Sequence, residues 1–271
     1  MKYLILGNGW IGNMLKQYLG DKAVLIETDI NDFDISAESD EARSCDVWIN
    51  TAAVTNIDFA EKNKRNAFET NVLGAWGLAI DAKSAGKKYV FFSSACIFES
   101  EGGNMFDVKY ENSEPNPKCF YSETKSMAER LILEEYPESL VVRPRLPISS
   151  TPHPRNTLDK LANYEKINDA QESVTVIEDM MPVLVDLIER GEKGIFHLVN
   201  AWTISPAEMA DLMEHPYKKV SKQSQDERLK AEGRAKRVTV IAGSKRIPLL
   251  PDIRLRAPEI IKIWREKKYN G

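Results

Sequence analysis

An α/β fold built on a doubly wound parallel sheet, completed by a smaller C-terminal substrate-binding region, is what this sequence predicts. Three observations carry that expectation. Short apolar runs alternate with amphipathic segments through the first half of the chain, the order that gives a parallel sheet covered on both faces. The first such run leads directly into Gly7-Asn8-Gly9-Trp10-Ile11-Gly12. Beyond about residue 150 the alternation loosens into proline-bearing loops and charged helical segments.

Taken in order, Tyr3 to Leu6 reads as a buried strand, and Ile11, Leu15 and Leu19 recur at helical spacing after it. Strand, Gly-x-Gly-x-x-Gly and helix in that order is the context of a dinucleotide fingerprint. Gly7 allows the tight turn, Gly9 a close approach of backbone to pyrophosphate, and Gly12 the packing of helix on strand. The helix start then offers free N–H groups to the pyrophosphate. The cofactor-binding set expected here is Gly7, Asn8, Gly9, Trp10, Ile11 and Gly12. Ala23 to Ile26 is the second strand, followed by Glu27-Thr28-Asp29. An acidic side chain there accepts hydrogen bonds from a ribose and repels a 2′-phosphate, so Asp29 leans the cofactor, NADH or NADPH, toward NADH.

Cys45 to Asn50 is the third strand. The small residues Ala52 and Ala53 after it let backbone pass close to a cofactor. Helices over Ile57 to Lys62 and Ala67 to Ala85 follow, with Gly86 as a C-terminal stop. Tyr89 to Phe92 is a further strand. Residues 100 to 118, polar and rich in glycine and proline, read as a surface loop. A helix from Tyr121 to about Glu135 and a strand at Leu140-Val141-Val142 close the regular part. Helices are then expected after Arg155, over Met180 to Arg190, after the capping box Ser205-Pro206-Ala207-Glu208, after a second capping box at Ser224-Gln225-Asp226-Glu227, and over Ala257 to Lys268. A strand at Gly194 to Val199 rejoins the sheet. Residues 1–150 with a returning segment near 171–200 are expected to form a Rossmann-type nucleotide-binding domain, and 151–170 with 201–271 the substrate-binding region.

Composition bounds the function. With 271 residues, 42% hydrophobic and 29% charged, the chain can bury an ordinary core. A net charge of −4 argues against a nucleic-acid partner. Cys45, Cys96 and Cys119 show neither metal nor disulfide spacing, and no apolar run approaches a membrane span. A soluble cytoplasmic protein with no metal, no nucleic acid and no membrane partner is expected.

The candidate chemistry lies between Ser93 and Lys125. Tyr121 and Lys125, four apart in a helix, share a face. A nearby ammonium lowers a phenol's pKa and makes it a usable proton donor. Extended backbone after the strand would turn Ser94 and Cys96 to the same side.

With the fingerprint, Ser94 and Tyr121-x-x-x-Lys125 in place, the chain resembles the extended short-chain dehydrogenase/reductases. Thr51 to Glu61 and Ala67-x-x-x-Asn71-Val72 look like the dTDP-4-dehydrorhamnose reductase branch. Cys96-Ile97-Phe98-Glu99, Arg145 to Ser150, Pro154-Arg155-Asn156, Tyr164-Glu165-Lys166 and Thr175-x-Ile177-x-Asp179-x-x-Pro182 are similar to the bifunctional UDP-4-keto-6-deoxyglucose 3,5-epimerase/4-reductases. The resemblance covers about residues 1 to 215. It implies an NAD(P)H-dependent enzyme acting on a nucleotide-sugar, with Ser94, Tyr121 and Lys125 as the reductase triad and Asn71 supporting it. Cys96 and Lys160 are implied as the epimerising acid/base pair, Arg155 and Asn156 as substrate-binding residues, and a helix-paired homodimer as the assembly. Relatives often carry Thr-Gly-Cys where this chain has Ser94-Ala95-Cys96, and small or basic residues where it has Asp29. A GDP-4-keto-6-deoxymannose epimerase/reductase is the nearest alternative, disfavoured because that group has His where this chain offers Lys160. A monofunctional 4-ketoreductase would need neither Cys96 nor Lys160, and a non-catalytic regulatory subunit would have no need of the intact triad.

Overall fold

The structure, a computed structural model, describes residues 1–26, 43–100, 104, 106–248 and 250–270. Its centre is a six-stranded sheet made of β1 (Tyr3–Leu6), β2 (Ala23–Ile26), β3 (Val47–Asn50), β4 (Lys88–Phe92), β6 (Leu140–Arg143) and β10 (Gly194–His197), in the order β10-β6-β4-β3-β1-β2. The pairings across the sheet from β2 to β6 are all parallel. Parallel strands need crossover connections, and helices covering both faces bury the strands completely. Tyr3, Leu4, Ile5 and Leu6 are accordingly all but inaccessible, as are Val47, Trp48 and Ile49. Each such side chain contributes roughly 2 kcal/mol by leaving water.

The chain winds from β1 out to β2 and then returns to lay β3 on β1's other side. The strand order therefore reverses between β1 and β3, and the loops leaving those two strands open side by side.

Helices α1 (Trp10–Leu19), α2 (Ile57–Lys62), α3 (Lys64–Phe68), α4 (Ala75–Ser84) and α5 (Phe120–Glu135) cover the sheet. A six-residue π turn, Glu69–Gly74, joins α3 to α4 without a break. Ala75, Ala79 and Ala82 of α4 and Ala128 of α5 pack with Leu4, Leu6, Trp48, Tyr89 and Phe91 in one core cluster. Their small side chains let helix and sheet approach closely. Gly86 stops α4 as expected: its φ is 65°, and the Lys87 amide donates to Ala82 O at 2.8 Å.

The chain divides into two units. The first comprises Met1–Ile97, Cys119–Arg143 and Val185–Phe196; the second comprises Phe98–Lys118, Pro144–Leu184 and His197–Gly271. This partition differs from the expected one, since 98–118, 144–150 and, of the returning segment, 171–184 and 197–200 fall in the second unit.

In the second unit, three two-stranded parallel sheets pair β5 (Val108–Lys109) with β12 (Ile241–Ala242), β7 (Pro147–Ile148) with β9 (Thr175–Val176), and β8 (Lys166–Asn168) with β11 (Lys218–Val220). Its core gathers Ile148, Leu158, Val176, Met209, Ile260, Ile261 and Trp264. The C-terminal helix α10 (Ile253–Asn270) contributes the expected Ile260, Ile261 and Trp264, but begins four residues early. Asp252 explains the early start, its Oδ1 accepting from the Arg254 amide at 2.9 Å.

Two expectations are corrected. Residues 100 to 118 are not merely a surface loop: they include β5, and Ser100 and Glu111 are buried. The partner strand lies more than 130 residues downstream, beyond any local pattern. The second correction concerns α9 (Lys222–Ala231), which is capped by Ser221, whose hydroxyl accepts from the Ser224 amide; Ser224 lies inside the helix. The Ser205 box, in contrast, forms on both sides as expected.

Candidate active site

The first unit presents its glycine loop where the strand order reverses. Thr51 draws the loops after β1 and β3 together: its amide donates to Leu6 O at 2.8 Å, and its hydroxyl lies 3.1 Å from both Leu6 O and Gly7 O. Gly7 has φ 108°, and a Cβ there would stand 2.7 Å from the Ala52 amide nitrogen. At Gly12 a Cβ would stand 2.0 Å from Gly7 O, so close packing of helix on strand forbids any side chain. Gly9 is different, since open space extends at least 4 Å from where its Cβ would be. No side chain caps α1, so its positive end faces outward from an extended Gly9. Asn8 is exposed, Ile11 half-buried and Trp10 buried, while Ala52 and Ala53 lie half-buried after β3. Asn50 Oδ1 holds the Ala52 amide at 3.0 Å. A dinucleotide's pyrophosphate fits this cradle of backbone amides. Asp29 lies outside the described residues.

The second element is α5. Glu61 accepts the Phe120 amide at 2.7 Å and fixes the helix start. Tyr121 and Lys125, one turn apart, are both buried. Lys125 Nζ donates to Phe92 O at 2.8 Å and lies 4.6 Å from the centre of the Phe91 ring. The ammonium is thereby tied to the end of β4, one residue before Ser93-Ser94. Burial pulls Lys125 down to about 7, against the raising effect of the Glu129 charge. Ser93 Oγ is buried without a hydrogen-bond partner, a polar atom that a bound polar group would satisfy.

Ser94 and Cys96 follow, but not in extended backbone. The strand ends at Phe92, and Ala95–Ile97 is a single 3₁₀ turn. Ser94 Oγ accepts from the Cys96 amide at 3.1 Å, the local bond by which serine diverts backbone from a strand. The expectation that period-two geometry turns both side chains the same way is therefore corrected. Cys96 is half-buried.

Asn71, within the π turn, is fully buried. Its Oδ1 accepts from Val54 N at 2.8 Å, and its Nδ2 donates to Val54 O at 3.1 Å and Thr124 Oγ1 at 3.0 Å. Thr124 in turn donates to Tyr121 O at 2.8 Å. Asn71 thus ties the loop after β3 to the helix that carries the phenol and the ammonium.

In the second unit, Lys160 sits on α6 (Thr157–Leu161). It is exposed to solvent, yet the protein crowding it, and after that the charges of Arg155 and Arg237, hold its ammonium below the ordinary lysine value. Asn156 is buried as the N-cap: Oδ1 accepts from Leu158 N at 3.1 Å, and Nδ2 donates to Ser149 O at 2.9 Å and Thr151 O at 3.1 Å. With that amide engaged by backbone, Arg155 and Lys160 are the exposed residues of the expected set in this segment. Asp159 positions the helix, accepting from His153 N and Trp264 Nε1 at 2.9 Å and from Lys268 Nζ at 2.7 Å.

Sequence reasoning missed Thr51, Glu61, Thr124, Glu129 and Arg237. Thr124 and Glu129 had a usable signal, lying three and eight residues after Tyr121 on the same helix. Thr51 and Glu61 meet Gly7 and Phe120 across tens of residues, and Arg237 stands as far along the chain from Lys160, so their roles had no local signal.

The chain matches the family described as RmlD substrate binding domain over residues 1–241. It is 30% identical over 223 residues to the bifunctional dTDP-4-dehydrorhamnose 3,5-epimerase/dTDP-4-dehydrorhamnose reductase of Arabidopsis thaliana, covering 78% of this chain and 73% of that protein. It is also 30% identical over 224 residues to the trifunctional UDP-glucose 4,6-dehydratase/UDP-4-keto-6-deoxy-D-glucose 3,5-epimerase/UDP-4-keto-L-rhamnose-reductase RHM1 of the same plant. That match covers 78% of this chain but only 33% of the relative, so the chain spans about a third of that protein's length. Among solved structures, the L780 UDP-rhamnose synthase of Acanthamoeba polyphaga mimivirus superposes with a TM-score of 0.86 at 25% identity, covering 97% of this chain and 99% of that one. A dTDP-4-dehydrorhamnose reductase of Bacillus anthracis in complex with NADP superposes at 0.76 and 20% identity, covering 97% and 99%, a likeness of fold.

Proposed function

Because this chain belongs to the RmlD substrate-binding family, we propose that it reduces a nucleotide-linked 4-keto-6-deoxy-hexose after epimerising it at C3 and C5, with UDP-4-keto-6-deoxy-glucose as the substrate and the rhamnose nucleotide as the product. The observation that carries this reading is Lys125 Nζ, on the helix face it shares with Tyr121 and fixed at 2.8 Å to Phe92 O, two residues before Ser94. The activities of the relatives and the residue matches at Cys96 and Lys160 support the finer assignment.

The loop from Gly7 to Gly12 would hold the pyrophosphate of NADH or NADPH, Ala52 and Ala53 would flank the cofactor, and Lys125 would hold its nicotinamide ribose. When bound, the nicotinamide supplies the hydride for C4. The chain's residues do the rest. Ser94 and Tyr121 hydrogen-bond the ketone oxygen, and Tyr121 gives that oxygen its proton as C4 is reduced. Before reduction the same ketone acidifies the protons on C3 and C5. Ser94 and Tyr121 stabilise the enolate left when one is removed. Cys96 and Lys160 act as the acid/base pair that removes a proton from one face and returns one to the other. A lysine ammonium held below its ordinary value is suited to that exchange. Arg155 and Arg237 add positive charge for the substrate's phosphates.

The test is deuterium exchange from D₂O into C3 and C5 of UDP-, dTDP- and GDP-linked 4-keto-6-deoxy sugars without reduced cofactor, followed by turnover with NADH or NADPH. Wild type should exchange both positions with the UDP sugar, and Cys96→Ser or Lys160→Met should lose exchange at one or both. Reduction without exchange would make this a plain 4-ketoreductase, and turnover of only the GDP sugar would overturn the assigned substrate. A marked preference for NADPH would remove the role given to Asp29.

A further inference from the structure

Helix α5 carries a third polar residue on the face of Tyr121 and Lys125. Glu129 lies one further turn along and is only 4% exposed. Arg143, at the end of β6 and 2% exposed, grips it at both oxygens: Nε to Oε1 at 2.8 Å and Nη2 to Oε2 at 2.5 Å. Two buried charges cost desolvation that an apolar pair of similar volume would avoid. The arrangement therefore calls for a use beyond packing, and its place on the helix supplies one. Residues four apart on a helix are neighbours, about 5–6 Å between Cβ atoms, so Glu129 stands one turn from Lys125 and its charge acts on that ammonium.

We propose that Glu129, held in place by Arg143, is a positioning residue for the reductase site that keeps the buried Lys125 ammonium charged and seated on Phe92 O. The inference rests on the reading of Tyr121 and Lys125 given above. The surroundings of Lys125 leave this task to Glu129. On β4, the Phe91 ring and the Phe92 carbonyl are neutral. From α2, Glu61 is engaged by the Phe120 amide, and Lys64 of α3 lies over the Phe120 ring at 5.1 Å. Asn71 of the π turn is neutral, and Arg143 of β6 points its charge into Glu129 itself. Burial opposes the Lys125 charge and Glu129 is the group that restores it, leaving the balance at about 7. The bidentate grip matters because a carboxylate free to rotate would hold its charge less reliably at one distance from the lysine.

Glu129→Gln alone strands a buried Arg143 and can fail to fold, so the decisive variant is Glu129→Gln/Arg143→Met, which removes both charges. Loss of an adjacent opposite charge moves a titration by about one unit or more. Two measurements separate this role from simple packing. The first is NADH or NADPH affinity by fluorescence titration from pH 5.5 to 8.5. The double variant should bind within about twofold of wild type at pH 5.5 and about tenfold more weakly at pH 8, where the charged fraction left on its lysine is about tenfold smaller than in wild type. The second is melting temperature against pH. A lysine whose folded pKa lies below its unfolded one binds more protons when unfolded, so stability climbs with pH above the folded value. That climb should begin at lower pH in the double variant. In a Lys125→Met background both differences should vanish. A loss of affinity equal at every pH, or one that persists without Lys125, would overturn the proposal. Neither measurement needs the sugar. Failure to turn over any 4-keto sugar would therefore sink the enzymatic reading without deciding this one.

Discussion

Arg143 and Arg145 are two residues apart, each buried, each paired with a glutamate, yet they organise different units in different ways. Arg143 reaches back 14 residues to Glu129 and stiffens one helix against the strand beside it. Arg145 reaches 27 residues forward to Glu172 at 2.7 Å and 93 residues forward to Val238 O at 2.6 Å, while Glu172 also accepts from Val240 N at 3.1 Å. The second unit repeats this style. Glu111 takes the Ser244 hydroxyl and the Lys245 amide, and Asp159 takes the indole of Trp264. The first unit is assembled by an apolar sheet and places its buried ion pair on the helix that bears Tyr121 and Lys125. The second, made of two-stranded sheets and short helices, uses buried carboxylates to gather distant segments. A polar network in one place tunes, and in the other it builds.

Three experiments sharpen that contrast. The largest effect is expected from Arg145→Met, which leaves Glu172 buried without its cation and should lower stability by about 3–5 kcal/mol. Burial already raises the Glu172 carboxyl despite Arg145. A carboxyl whose folded pKa exceeds its unfolded one loses stability as pH rises through that interval. Without Arg145 the interval widens, so the deficit in melting temperature should be greater at pH 8 than at pH 5. A small, pH-independent change would remove the structural role given to this pair. Next comes Tyr121→Phe, which should leave the melting temperature nearly unchanged and cofactor affinity intact. Hydride transfer to the 4-keto sugar, followed by nicotinamide absorbance, should fall by about 10²-fold or more. Near-normal turnover would take the phenol out of the chemistry. The smallest effect is expected from Glu61→Gln, which keeps an acceptor for the Phe120 amide but loses its charge. It should cost about 1 kcal/mol in denaturant unfolding with turnover changed only slightly. A loss of turnover comparable with Tyr121→Phe would show that the helix start is held far less redundantly than its packing suggests.

The same contrast decides what was legible in the sequence. The parallel sheet, the glycine loop and the Tyr121 helix could be read because each rests on local periodicity: apolar runs, a turn that only glycine fits, and residues four apart. Gly12 is the clearest case, since its spacing after Gly7 is dictated by the 2.0 Å that a Cβ would leave. The second unit hid its construction because β5 finds β12 across more than 130 residues, and nothing near Val108 announces that pairing. Ser94 and Cys96 show a subtler limit. Their residue types were readable but their geometry was not, because one side-chain hydrogen bond turned the backbone after Phe92. The sequence signals a cap at Ser224, but the helix takes Ser221, three residues earlier, because the path of the chain decides where the helix starts.

The π turn at Glu69–Gly74 has a consequence for how this helix can vary. Such a turn amounts to one residue inserted into an α-helix, and one residue advances a helix by about 100°. The rod therefore serves two directions at once. Within the turn, its phase keeps Asn71 turned to Val54 and Thr124; downstream, its phase sets Ala75, Ala79 and Ala82 on the sheet. Deleting a single residue here would regularise the helix yet bring the two halves into one phase. Either the asparagine would swing away from the Tyr121 helix or the alanines would leave the core. Chain length within these six positions is thus as much under constraint as side-chain identity, and substitutions alone would never reveal it.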